Sequence, residues 1–146
     1  MRDLPRQLSS DQLAELFEGQ TTLVERLVEL EDPLERADEV LATLTEGEKI
    51  EALNAHPAIG ARRLSSRSAA EQGSDTDPAI LSELAYLNQV YEEKFGFRFV
   101  VFVQGRSKRE ILEVLRERIA RTREEELETG CRELVAIARD RWTSSV

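Results

Sequence analysis

Cysteine, histidine and aromatic residues are all scarce in this chain. Its 146 residues include one cysteine, Cys131, one histidine, His56, and only 5% aromatics. A lone cysteine excludes an intramolecular disulfide, and one Cys with one His cannot supply a Cys/His zinc site. With so few aromatic rings, the core must rest mainly on Leu, Val, Ile and Ala. An excess of positive charge is also missing. The formal net charge is -9, which argues against nucleic-acid binding, because a phosphate backbone demands a basic face. No stretch approaches the roughly 18 apolar residues of a membrane span, and the N-terminus has no basic-then-apolar leader. A cytoplasmic protein with no membrane contact is the expectation. There is no Gly-x-Gly-x-x-Gly, no phosphate loop, no Gly-x-Ser-x-Gly and no acidic cluster with metal spacing.

What is present is an ordinary balance for a folded chain, with 40% hydrophobic and 34% charged residues. The length suits one domain, residues 1–146, large enough to bury a real core. Helix signals run almost throughout. Ser9 or Ser10 can cap a helix carrying Leu13, Leu16 and Phe17, which Gly19 would end. Thr21 or Thr22 can cap a second with Leu23, Leu27 and Leu30 inward. Asp32-Pro33 reads as a cap with proline at the first helical position, followed by Leu34, Ala37, Leu41 and Leu44 on one stripe. Thr45 with Glu48 forms a capping box for a helix that runs up to His56. Asp77-Pro78 opens the clearest helix, with Leu84, Leu87, Tyr91 and Phe95 in register and Gly96 as the stop. Ser107 caps a helix with Ile111, Leu112, Leu115 and Ile119. Thr122 with Glu125 marks a restart or bend before a last helix that carries Leu127, Cys131, Leu134, Ala138 and Trp142. On that stripe Cys131 reads as a small buried hydrophobe rather than a nucleophile. Residues 97–103 have the composition of a strand but no partner, so an extended segment is expected rather than a sheet. The fold class is all-α, a bundle of about seven or eight helices.

Three segments could carry chemistry. His56 precedes Pro57, which pushes it out of the helical region. Its ring then lies beyond a helix C-terminus, where the partial negative charge favours the imidazolium, a suitable proton donor near neutral pH. The plainer alternative is a histidine that only bonds the last carbonyls. Second, residues 60–77 form a long loop with a short helical turn around Ala69 to Gln72, and loops of this length are more often functional than idle. There Ser68, Glu71 and Gln72 offer a hydroxyl, a carboxylate and an amide in one turn, fit for a small polar heterocycle. Ser68-x-x-Glu71 also fits an ordinary capping box. Third, the run Phe99, Val100, Val101, Phe102, Val103 is either core or an extended edge whose backbone faces a ligand. Arg98 and Arg106 flank it.

These segments together resemble a known family. His56-Pro57-x-Ile59-Gly60, then Ser68-x-x-Glu71-Gln72, then Asn88-x-x-Tyr91-x-x-Lys94-Phe95-Gly96-Phe97-x-Phe99-Val100-Val101 is similar to 2-oxo-4-hydroxy-4-carboxy-5-ureidoimidazoline (OHCU) decarboxylase. The resemblance runs from about residue 45 to the end. It implies an all-helical, cofactor-free homodimer that forms (S)-allantoin and CO2 during urate degradation. It implies His56 as catalytic acid and Glu71 as the group that orients or polarises the substrate hydroxyl. Pro57, Ser68, Gln72 and the backbone of Phe99 to Val103 would line the site, with no metal. The stretch Gln20 to Val24 lacks the Pro-Trp pair usual in that family. Two other readings stay open: a relative acting on another ureido or imidazoline acid, and a non-catalytic helical interaction module.

Overall fold

The structure is a computed structural model that describes residues 3–58 and 77–144. Among these residues there are seven helices and no strand: α1 Ser10–Phe17, α2 Thr22–Leu27, α3 Pro33–Thr43, α4 Glu46–Asn54, α5 Pro78–Phe95, α6 Lys108–Ile119 and α7 Arg123–Ser144. None of them is long and apolar enough to cross a membrane. The turn expected near Ala69 to Gln72 lies outside the described residues.

Local signals set most helix ends. Ser9, Thr45 and Ser107 each accept a bond from the third helical amide, and Gln12, Glu48 and Glu110 return one to the cap amide, so three capping boxes form. Thr122 and Glu125 make the same reciprocal pair ahead of α7, which is a separate helix rather than a bend in α6. Gly96, at φ 82°, ends α5 in the left-handed conformation that glycine tolerates.

Two ends differ from expectation. Asp32 sits before Pro33, but with φ 54° its side chain makes no cap bond. Its amide instead donates to the Arg6 carbonyl at 2.8 Å, so the residue turns the chain rather than caps it. At the end of α1, Glu18 and not Gly19 adopts the left-handed conformation, with φ 65°. Gly19 itself sits against α4, where a Cβ would meet the Ala55 side chain at 3.4 Å, an ordinary contact distance. The left-handed backbone costs a non-glycine residue about 1–2 kcal/mol, and the Glu18 carboxylate gains a buried arginine partner in return.

The last helix, α7, is the axis of the bundle and packs on α1, α3 and α4, while α5 and α6 pair with each other. Leu134, Val135 and Ala138 of α7 are fully or almost fully buried. Gly130 lets α4 approach, since a Cβ at that position would come within 3.2 Å of the Leu53 side chain. Arg139 binds α7 to the start of α3 by donating to the Leu34 carbonyl at 2.8 Å and the Glu35 carbonyl at 3.2 Å. As composition implied, Leu dominates the core, but one aromatic cluster is built in. Tyr91 stands edge-on to Phe95, Phe97 and Phe99 with centroids 4.6, 6.0 and 5.2 Å away, a favoured geometry. Residues 97–103, the segment expected to be extended, form neither helix nor strand and are mostly buried.

Candidate active site

His56 follows α4 directly, and only 5% of its surface is exposed. Its Nε2 has no hydrogen-bond partner among the described residues. Two helix C-termini meet beside it, because Gly19 at the end of α1 abuts Ala55 at the end of α4. Each end is capped by an arginine from a distant part of the chain. Arg98 donates through Nη1 to the carbonyls of His56 at 2.6 Å and Asn54 at 3.2 Å. Its own amide donates to Asn54 Oδ1 at 2.9 Å. Arg141, from α7, donates through Nη1 to the Leu16 carbonyl of α1 at 3.0 Å and pairs with Glu18 at 3.0 Å.

This arrangement reverses the expected electrostatics. A bare helix end would favour imidazolium, but here guanidinium groups occupy the carbonyls that would supply the negative charge. Burial lowers the His56 pKa first, Arg141 and Arg98 lower it further, and Glu18 opposes them, leaving it at about 4. The ring is therefore neutral at pH 7, with Nε2 lacking a partner among the described residues. A buried polar atom without a partner costs free energy unless a ligand or water completes it.

Arg98 also joins His56 to the third segment, since it is the residue just before Phe99. The Phe99–Val103 backbone is only partly available to a ligand. Arg118 Nη1 donates to the Val100 carbonyl at 2.7 Å. Arg106 donates to the Phe102 carbonyl at 2.6 Å and the Val103 carbonyl at 3.0 Å. The Phe102 amide donates to Glu133 at 3.3 Å. The amide and carbonyl of Val101 have no such partner among the described residues. Pro57 is half-buried beside His56. Ser68, Glu71 and Gln72 lie outside the described residues.

A buried ionic network supports the extended segment from behind. Glu126, fully buried, accepts from Tyr91 Oη at 2.6 Å, Arg118 Nε at 2.7 Å and Arg121 Nη1 at 2.9 Å. Arg118 also lies over the Phe99 ring, 4.6 Å from its centroid. Burial and the Glu126 bond raise the Tyr91 pKa, so the phenol remains a donor. Sequence reasoning missed Arg141 and this network. Their partners are 125 residues away for Arg141 with Leu16 and 35 for Tyr91 with Glu126, beyond any local spacing rule.

A recess of about 790 Å³ lies elsewhere, between α3, α4 and α7, and is lined by Leu41, Lys49, Leu127 and Cys131 among others. None of the residues singled out for chemistry reaches it. Burial pushes the Cys131 thiol up to about 11, so it is no nucleophile.

Comparison with known proteins bears on the family and the fold. The family model described as OHCU decarboxylase matches residues 2–143. A uric acid degradation bifunctional protein of Arabidopsis thaliana is 37% identical over 98 residues, covering 60% of this chain and 30% of that protein. A uric acid degradation bifunctional protein of Bacillus sp. (strain TB-90) is 30% identical over 105 residues, with 68% of this chain and 21% of that protein covered. A 2-oxo-4-hydroxy-4-carboxy-5-ureidoimidazoline decarboxylase of Halalkalicoccus jeotgali is 34% identical over 95 residues, covering 62% and 54%. The matches thus span from about a fifth to just over half of these relatives' lengths. A crystal structure of OHCU decarboxylase in the presence of (S)-allantoin superposes with a TM-score of 0.76 at 26% identity, over 89% of this chain and 94% of that one.

Proposed function

The chain belongs to the OHCU decarboxylase family, and from that premise we propose that it decarboxylates OHCU to (S)-allantoin and CO2 with His56 as proton donor. The single observation that carries the role of His56 is its buried Nε2, without a partner among the described residues, at a meeting of two arginine-capped helix ends. In this reading the substrate supplies its own electron sink, a C=N bond next to the carbon bearing the carboxylate, so no cofactor is required. The carbon–carbon bond breaks, CO2 leaves, and the electron pair passes into the ring. A proton delivered to one face then fixes the S configuration.

Arg98 and Arg141 are committed to carbonyls and carboxylates, so they act on an anionic substrate chiefly through potential. Burial first, and that same potential second, keep the imidazole neutral before substrate arrives. An arriving carboxylate offsets it and raises the proton affinity of His56, so proton uptake accompanies substrate binding. Glu71 polarises the substrate hydroxyl, while Pro57, Ser68, Gln72 and the backbone of Phe99 to Val103 line the site. The proposal also has the chain, as one domain over 1–146, acting as a cytoplasmic homodimer. Sedimentation and cell fractionation test those two points.

The experiment is the decay of OHCU, generated in place from urate, with and without the protein. We expect faster loss with stoichiometric CO2 release. An unchanged rate, with other ureido and imidazoline acids in the same panel also untouched, would leave only a non-catalytic module. Turnover of another acid instead would make the chain a divergent member.

A further inference from the structure

Glu18 has no role in the reaction as described, yet its setting is unusual. It is a non-glycine residue in the left-handed conformation, immediately before a glycine. Its carboxylate is turned inward, with 14% of the side chain exposed, against an Arg141 side chain that is 2% exposed. One guanidinium nitrogen, Arg141 Nη1, serves both the Glu18 carboxylate and the Leu16 carbonyl, each at 3.0 Å. The Arg141 head is thereby fixed at the end of α1, which abuts Ala55, the residue before His56. Three charged groups reach the imidazole among the described residues: Arg141 from α7, Arg98 from the extended segment and Glu18 from α1. Arg98 is itself paired with Glu92 of α5 at 3.1 Å.

We propose that Glu18 is a positioning residue of this site: it holds the Arg141 guanidinium beside His56 and balances its charge there. The role in turnover rests on His56 being the proton donor, but the electrostatic role does not. With Glu18 present, the two arginines raise the potential enough to draw in an anion without preventing the ring from taking a proton. Without it, the Arg141 charge beside the imidazole loses its carboxylate, and the Leu16 carbonyl is left to hold the guanidinium. Glu18 therefore tunes one histidine from a distance, through a partner that no local motif connects to it.

Because His56 is the only histidine, one imidazole resonance followed by NMR against pH reports it alone. Glu18→Gln keeps the shape and removes the charge, and its midpoint should fall below that of the parent. Arg141→Gln should move it the opposite way. Opposite shifts are the discriminating result, since general loosening of the site would expose the ring and raise both. If Glu18→Gln perturbs folding, Glu18→Asp, which keeps the charge, should titrate like the parent. In turnover, Glu18→Gln should lower kcat and shift the acid limb of the pH profile in the direction of the NMR midpoint. An unmoved or raised midpoint in folded Glu18→Gln, or a shifted one in Glu18→Asp, overturns the proposal. If the parent has no decarboxylase activity, the NMR series still decides the role of Glu18.

Discussion

His56 makes the fold sensitive to acid in a way that can be read from a single side chain. Its folded pKa of about 4 lies below the ordinary 6.5. As pH falls, the unfolded chain takes up this proton first. The stabilisation is complete above about 6.5, is lost progressively as pH falls, and is gone below about 4, a total of about 3 kcal/mol. We expect urea denaturation of the parent to lose that much between those limits through this residue. His56→Asn should show a correspondingly shallower dependence. Equal pH slopes would contradict the burial of the ring. A second residue-level prediction concerns Glu126, which is fully buried. Removing its closest cation with Arg118→Met leaves a buried charge undercompensated and should cost about 3–5 kcal/mol. Tyr91→Phe removes one charge-assisted bond and should cost about 1.5–3 kcal/mol. Denaturation midpoints check both. A near-neutral Arg118→Met would mean that the network does not hold the Val100 carbonyl. None of these partners was legible in the sequence, because each pairing depends on which helices come together. His56 itself was legible through Pro57, but the charge on its ring was not: the helix end was foreseen, the arginines covering it were not.

Helices were read more successfully, and for a physical reason. A cap and its box partner lie three residues apart, so Thr45 with Glu48 announces itself locally, and Ser107 does so as a cap whose box partner, Glu110, the structure adds. Thr45→Ala and Ser107→Ala should each cost about 1 kcal/mol. Thr45→Ala should also reduce activity, because α4 carries His56 at its end; thermal melts with a parallel assay separate the two effects. Where the outcome depends on contacts between helices, local reading failed. Gly19 was expected to stop α1, but Glu18 takes the left-handed turn and Gly19 lies against Ala55 of the next helix end. Gly130 is the other close approach, facing the buried Leu53 side chain. Gly130→Val would overpack that crossing, and we expect a loss of about 1–3 kcal/mol, with the denaturation midpoint as the measure. Full retention of stability would show that α4 can shift away from α7 at no cost.

At the scale of the whole molecule, the acidic chain places two arginines, Arg98 and Arg141, where two helix ends meet. The extended segment, held by Arg98, Arg106 and Arg118, ties that meeting point to α5 and α6. The resemblance to OHCU decarboxylase rested on motifs along the sequence, and the family match over residues 2–143 bears it out. The all-helical class followed from periodicity and caps, and the seven described helices bear that out too. The measurement that bears most directly on the central claim is the circular dichroism of allantoin formed from fresh OHCU, with the parent protein and with folded His56→Gln. An (S)-allantoin signal should grow with the parent, and the variant should give a racemic, uncatalysed product. A racemic product with the parent, or an equal (S) signal with the variant, would contradict it.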